Sequence, residues 1–141
     1  LLTDLMHAVA LGPREPASAL AAGVAALHYA MRPYTPESHR HAWVLRAAAL
    51  LQHAGKLRRL GGHPQEGDYN LARGLHQLGL VHLAQPLYER CLEGESSRGE
   101  VPRKCEGANL RWEAAHNLAL IYRASGANGL ARAVLRKHAT I

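Results

Sequence analysis

The sequence is poor in aromatic residues and in cysteine. Aromatic residues make up 5% of the 141-residue chain, phenylalanine is absent, and there are two cysteines. Two cysteines are too few for a disulfide framework, so an intracellular, reducing setting is favoured. No apolar run is long enough to cross a bilayer, and no segment alternates apolar and polar residues as a β-strand would. These absences argue against a disulfide-stapled, membrane-spanning or β-rich protein.

The patterns that support catalysis or metal binding are also missing. The chain has ten histidines, but none is paired at a zinc-ligand spacing. His39 and His41, for example, are two residues apart and fall on different faces of a helix. Gly55 and Lys56 lack the upstream glycine and the Ser or Thr of a phosphate-binding loop. We therefore expect no enzymatic activity, no metal, no cofactor and no small-molecule substrate.

Two stretches of the chain carry the same pattern about 47 residues apart. In each copy an alanine is followed after seven residues by a glycine, and after five more by a second alanine. The first copy has Ala72, Gly79, Ala84 and Tyr88, and the second has Ala119, Gly126, Ala131 and Leu135. Alanines let two helices cross closely, and the glycine permits a left-handed turn between them. Each copy is thus predicted to be a helical hairpin.

This spacing of small residues resembles the tetratricopeptide (TPR) repeat, a helical hairpin of roughly 34 residues. Cys91 completes the small positions of the first copy, whereas His138 replaces the small residue in the second. The extra length falls in residues 94–110, which are rich in Gly, Ser and charge and are predicted to form an inserted loop. The N-terminal third fits less well, with Gly23 at the small position of an Ala-rich helix.

We therefore predict an all-α TPR solenoid of about three repeats that forms one array over residues 1–141. The start inside an apolar helix suggests a fragment of a longer array. Its parts, in chain order, are the closing helix of an upstream repeat (1–12), an irregular repeat (13–62), a repeat (63–93), the inserted loop (94–110) and a terminal repeat (111–141). Helices are expected at 1–11, 16–31 and 37–59 within the first two parts. Arrays of this type mostly bind other proteins.

The first helices of stacked hairpins line a concave groove, which we take as the candidate protein-binding site. The groove-facing positions are Tyr69, Asn70, Arg73, His76 and Gln77 in the first copy and His116, Asn117, Leu120 and Arg123 in the second. Asn and Arg side chains can bind a peptide backbone and its charges. Alternatively, Asn70 and Asn117 only hydrogen-bond neighbouring backbone. A co-chaperone-like clamp for a C-terminal carboxylate is a further alternative, although Tyr69 and His116 stand where its lysines belong.

The chain is basic, with a formal net charge of +6. The basic residues are scattered, and no element that reads a DNA groove or stacks on bases accompanies them. A solvated basic surface accounts for most of them. Direct, weak and non-specific DNA binding is an alternative function.

The sequence also resembles a specific family. The segments YNLARGLHQLGLVHLAQPLYERCLE (69–93) and EAAHNLALIYRASGANGLARAVLRKHATI (113–141) are similar to the C-terminal region of the TPR-containing subunit of general transcription factor IIIC (TFIIIC). The resemblance extends from about residue 40 to the end and is weaker upstream. The GLHQLGL stretch is more specific than the general TPR positions.

This resemblance implies a nuclear protein of the RNA polymerase III system. TFIIIC recognises internal promoters of tRNA-type genes and recruits TFIIIB, and its TPR subunit is an assembly platform. The implied function is a protein-interaction scaffold. The implied partners are other TFIIIC subunits and two TFIIIB subunits, the TFIIB-related factor and B-double-prime, with DNA contacted weakly or through the complex. The family supplies no catalytic residues.

Overall fold

The computed structural model describes residues 2–93 and 109–139, and these fold into seven α-helices without a strand. The helices are α1 (Leu2–Leu11), α2 (Pro16–Ala30), α3 (Glu37–Leu60), α4 (Pro64–Gln77), α5 (Val81–Glu93), α6 (Arg111–Ala124) and α7 (Asn128–His138). The all-helical prediction is confirmed for this part of the chain. The predicted inserted loop lies almost wholly in residues 94–108, outside the described residues.

Two prolines and three glycines mark places where helices begin and end. Pro16 and Pro64 each open a helix, a position where the missing N–H costs no hydrogen bond. Three turns contain a glycine in the left-handed region, with φ of 85° at Gly62, 76° at Gly79 and 81° at Gly126. Gly79 and Gly126 occupy equivalent places between α4 and α5 and between α6 and α7. The left-handed turn expected from the repeated glycine is therefore present in both copies.

Each helix packs against the next one along the chain, including α5 against α6. Between α2 and α3 the contact is close because small residues line it. A Cβ atom built on Gly23 would lie 3.1 Å from Cγ and Cδ2 of Leu51. The buried residues of α2 are Ala19, Ala22, Gly23, Ala26, Leu27 and Ala30. Gly23 thus lies at a helix crossing, as a small-residue position requires.

The crossing of α3 and α4 is closer still, and the repeat pattern did not predict it. A Cβ on Gly67 would stand 2.8 Å from the carbonyl oxygen of Gly55, a distance that backbone atoms cannot tolerate. A Cβ on Gly74 would overlap Cδ1 of Leu51. Gly55 and Gly67 therefore let two helix backbones touch, and Leu51 lies between glycines of α2 and α4.

Two apolar clusters form the core of the described residues. One joins Ala26, Leu27 and Ala47 of α2 and α3. The larger one spans α4, α5 and α6 and includes Ala72, Ala84, Leu87, Tyr88, Cys91, Leu92, Ala114, Ala115, Leu118 and Ile121. Of the repeated positions, Ala72, Ala84, Tyr88, Cys91, Ala119 and Ala131 are all buried. Leu135 is only half-buried.

No described helix combines the length and the apolar character that crossing a membrane requires.

Candidate functional site

The first helices of the two hairpins meet at Tyr69 and Asn117, two of the predicted groove positions. The side-chain amide of Asn117 on α6 donates a hydrogen bond to the hydroxyl oxygen of Tyr69 on α4, with an Nδ2–Oη distance of 3.3 Å. The contact joins residues 48 positions apart in the chain. Asn117 therefore bonds a side chain of the neighbouring repeat and not the local backbone, which was the alternative considered from the sequence.

Tyr69 is the centre of a small aromatic and basic cluster. Its ring packs edge-to-face on Tyr88 at a centroid distance of 6.1 Å, and the guanidinium carbon of Arg73 lies 6.0 Å from the Tyr69 ring centroid. The ring of His76 packs against Tyr88 at 6.0 Å, with its Nδ1 atom 3.5 Å from the Tyr88 hydroxyl. The structure thus brings Tyr69, Arg73, His76 and Asn117 together, and Tyr88 supports them from the core.

Within the described residues, the remaining predicted positions make no hydrogen bond or ring contact with this cluster. Asn70 is half-buried, and Gln77 and Arg123 are exposed. On α6, the exposed His116 ring stacks on Trp112 with centroids 6.0 Å apart and an interplanar angle of 10°. Leu120, one helical turn beyond His116, is also exposed. Trp112, His116 and Leu120 therefore form an exposed apolar and aromatic stripe on α6. The repeat pattern did not indicate Trp112.

The predicted groove positions include cations but no carboxylate. The nine predicted groove residues include two arginines, two histidines and no acidic residue. In residues 2–93 and 109–139, neither Arg73 nor Arg123 makes an ion pair, whereas Arg58, Arg59 and Arg90 all do. Both guanidinium groups are exposed, so their hydrogen-bond donors are available to an acidic or polar partner.

A buried carboxylate fixes α4 against its neighbours. Asp68 accepts hydrogen bonds from Arg59 of α3 at 2.6 Å and from Arg90 of α5 at 2.9 and 3.1 Å. The hydrogen bond that Arg90 donates to Asp68, together with the negative charge of Asp68, raises the pKa of the Arg90 guanidinium above its ordinary value. Because Asp68 precedes Tyr69, this three-helix junction sets the orientation of the helix that presents the cluster. Sequence spacing could not reveal it, since the partners lie 9 and 22 residues away.

Polar contacts also fix the second hairpin against the first. The side chain of Gln65 donates to the carbonyl of Cys91 at 2.9 Å and accepts from the backbone N–H of Leu110 at 3.1 Å. The guanidinium of Arg111 donates to the carbonyl of Leu92 at 2.6 Å. Across residues 94–108, the start of α6 is thereby anchored to α4 and to the end of α5.

Two titratable groups in the core of the described residues, Tyr88 and Cys91, have raised pKa values. Burial raises the pKa of the Cys91 thiol to about 12, so the reactive thiolate is scarce at neutral pH. Burial also raises the pKa of Tyr88, with a smaller effect from Tyr69. Among the residues that the structure describes, no three His, Cys, Asp or Glu side chains are grouped so as to hold a metal ion. The site offers hydrogen bonds, rings and positive charge, which are the elements of a binding surface.

Comparison with known proteins gives relatives along almost the whole chain. The chain is 36% identical, over 99% of its length, to "General transcription factor 3C polypeptide 3" of Homo sapiens. It is 31% identical, over 92% of its length, to "Transcription factor tau 131 kDa subunit" of Saccharomyces cerevisiae. It is 34% identical, over 94% of its length, to "Transcription factor tau subunit sfc4" of Schizosaccharomyces pombe. The matched segment spans only 12 to 15% of these relatives.

No protein-family model matches the chain. The resemblance found in the sequence is nevertheless confirmed, because all three relatives are transcription factor subunits and the match extends upstream of residue 40. The chain is therefore a homologue of a segment of the TFIIIC subunit that these three proteins represent.

Proposed function

We propose that this chain is a TPR-type protein-interaction scaffold of a TFIIIC complex and acts in the nucleus. Its partners in this proposal are other TFIIIC subunits and the TFIIIB subunits, namely the TFIIB-related factor and B-double-prime. Binding one of them through the groove supports assembly of the complex and recruitment of TFIIIB for RNA polymerase III transcription. The relatives support the setting, since they are named as transcription factor subunits.

The observation that carries the scaffold proposal is the hydrogen bond between Asn117 and Tyr69. It joins the first helices of the two hairpins at groove positions, so that they present one surface. Arg73 lies over the Tyr69 ring and adds a cation without an ion pair among the described residues. A surface of this kind suits a polar or acidic segment of another protein, because a charge-assisted hydrogen bond to Arg is among the stronger contacts in an interface.

The proposal is tested by replacing Asn70 and Arg73 together with alanine. Truncating one partner of a buried hydrogen-bonded charge pair costs roughly 2–5 kcal/mol, so the variant should recover at least tenfold less of a TFIIIC or TFIIIB subunit from nuclear extract. The matched control is Gln52→Ala with Lys56→Ala, which removes one amide and one cation from exposed positions of α3. Co-precipitated subunits are quantified by mass spectrometry.

Circular dichroism controls for folding in both variants. If the groove variant and the control retain the same partners in the same amounts, the groove is not the binding surface. Reversing the charges of Arg103 and Lys104 tests a competing location for the interface. Both residues belong to the predicted inserted loop, outside the described residues. Loss of partners with that variant alone would move the interface to the loop.

A further inference from the structure

A second surface lies where α2 turns into α3. The rings of Tyr29 and Trp43 pack edge-to-face with centroids 5.1 Å apart. The guanidinium carbon of Arg32 lies 5.6 Å from the Tyr29 ring centroid, and that of Arg46 lies 4.7 Å from the Trp43 ring centroid. Two arginines and two rings therefore form a continuous cluster across the two helices.

The turn beside this cluster is firmly held. Thr35 is buried, and its hydroxyl donates to the carbonyl of Tyr29 at 2.7 Å. Its backbone N–H bonds the carbonyl of Arg32 at 3.1 Å, and its own carbonyl accepts from the Arg40 guanidinium at 3.3 Å. Thr35 thus connects Tyr29, Arg32 and Arg40 through hydrogen bonds of its side chain and backbone.

The corner is strongly basic. Residues 28–46 contain three arginines and three histidines but only one carboxylate, that of Glu37. Glu37 lies in the first turn of α3, where it complements the positive end of the helix. Within the described part of the chain, Arg32 and Arg46 make no ion pair, and both are exposed. Tyr34, in the turn itself, is 94% exposed.

Contact with an aromatic ring prepares an arginine for an anion that accepts two parallel hydrogen bonds. A guanidinium that lies on a ring has less side-chain freedom to lose, and its N–H edge still points to solvent for two parallel hydrogen bonds. Phosphate is an anion that accepts such a pair. Positive charge next to an exposed aromatic ring is the combination by which proteins hold a nucleic-acid strand, the cations contacting phosphates and the ring stacking on a base.

We propose that the corner of Tyr29, Arg32, Trp43 and Arg46 binds the phosphate backbone of a nucleic acid, with Tyr34 as a stacking surface for an unpaired base. The site is separate from the groove of the proposed function, since it lies on α2 and α3. With only two arginines to contact phosphates, the expected affinity is weak and independent of base sequence. The affinity should fall as the salt concentration rises, because the free-energy gain from releasing counterions becomes smaller.

Fluorescence anisotropy of the 141-residue chain tests the site, with fluorescein-labelled 20-nucleotide probes in single-stranded and duplex form. The salt concentration is varied from about 50 to 200 mM, because each phosphate contact contributes roughly 0.9 to the log–log salt slope for duplex and 0.7 for a single strand. Arg32→Ala with Arg46→Ala should reduce that slope by about 1.8 for duplex and 1.4 for the single strand. Its affinity at the lower salt concentration should fall about tenfold or more.

The matched control is Arg14→Ala with Arg132→Ala. It removes the same net charge from two exposed residues that make no ring contact or ion pair among the described residues. The control should keep most of the affinity and of the salt slope. Equal losses in the two variants would show that binding follows net charge alone, and this would overturn the proposal.

A third variant, Tyr29→Leu, keeps every charge and removes the ring beneath Arg32. Its salt slope should stay within error of the parent, while its affinity falls severalfold because Arg32 is no longer preorganised. Polyglutamate of matched charge is the competitor. Displacement of the probe by polyglutamate as readily as by unlabelled single strand would assign the corner to acidic peptides and overturn the nucleic-acid proposal, as would the absence of measurable binding to either probe.

Discussion

The hairpins α4–α5 and α6–α7 have the same turn and the same small residues at their interior, but their outer contacts differ. Gly79 and Gly126 both have left-handed backbone, and Ala84 and Ala131 are both buried in the second helix. The contrast appears where each hairpin meets the helix before it. At one pair of equivalent positions α4 has Gly67 and α6 has Ala114, and at another α4 has Gly74 and α6 has Ile121.

The difference in residue size between α4 and α6 follows from the helices that pack against them. Gly67 touches the backbone of Gly55 on α3, so no side chain fits there. Ala114 and Ile121 are buried in the cluster that α6 shares with α4 and α5. The helix preceding α4 is thus close enough to require glycine, whereas the helices beside α6 leave room for apolar side chains that fill the space. A shared hairpin pattern therefore sets the turn, and the adjacent helix sets the size of the contact residues.

The second helices of the two hairpins also differ in which helices pack against them. α5 packs against both α4 and α6, while α7 packs against α6. Tyr88 of α5 is fully buried, and its counterpart Leu135 is half-buried. One position of the repeat thus contributes to the core in the first copy and to its edge in the second.

The largest expected effect comes from truncating this position in each copy. Tyr88→Ala removes a large, fully buried side chain and should lower the free energy of unfolding by about 3–5 kcal/mol, because it loses apolar burial and leaves a cavity. Leu135→Ala should cost about 1 kcal/mol, since part of the side chain already contacts water. Urea titrations followed by circular dichroism give both values. Equal losses would contradict the inference that α5 is interior and α7 peripheral.

A smaller effect is expected from the glycine contacts of α4. Gly67→Ala places a methyl group on the backbone of Gly55 and should cost about 1–3 kcal/mol, because neither helix backbone can move without disturbing its packing. Gly74→Ala meets the flexible end of Leu51 and should cost less, since a side chain can change rotamer. The same urea titration measures both variants.

Leu51→Val is the control for this comparison. It shortens the side chain that Gly74→Ala meets, so it should recover part of the loss in Gly74→Ala and none of the loss in Gly67→Ala. Full tolerance of Gly67→Ala would mean that α3 and α4 do not cross as closely as the structure shows.

The helices could be predicted from sequence because local signals define them. Apolar periodicity, Pro16 at a helix start and glycines at the turns are all read within a few residues. The predicted helices 16–31 and 37–59 match α2 and α3 to within one residue. The contact of Gly55 with Gly67 could not be predicted, since it depends on the angle between two helices. The pairing of Asp68 with Arg59 and Arg90 depends on that same arrangement.

The candidate site was predictable in part for a related reason. The duplicated spacing placed Tyr69 and Asn117 on first helices, and the structure joins these two side chains. Trp112 was missed because its counterpart in the first copy is Gln65, so comparison of the copies gave no signal. The spacing of apolar and aromatic residues at 112, 116 and 120 was the available clue. The arginine and ring cluster at the α2–α3 corner lies outside both copies, where the repeat pattern has nothing to align.

The smallest expected effect concerns the feature that the two hairpins share most closely, their left-handed turn glycine. Gly79→Ala and Gly126→Ala should each lower the free energy of unfolding by about 1 kcal/mol, because an alanine Cβ is strained at positive φ. No atom lies within 4 Å of a Cβ built at either site, so crowding contributes nothing. Gly129→Ala in α7 is the matched control. Its Cβ also meets open space, but its backbone is helical, and it should stabilise the chain by up to about 1 kcal/mol. The free energies of unfolding of the two turn variants should agree. If they differ by more than the change that Gly129→Ala causes, the two turn glycines do not have the same role in the two copies.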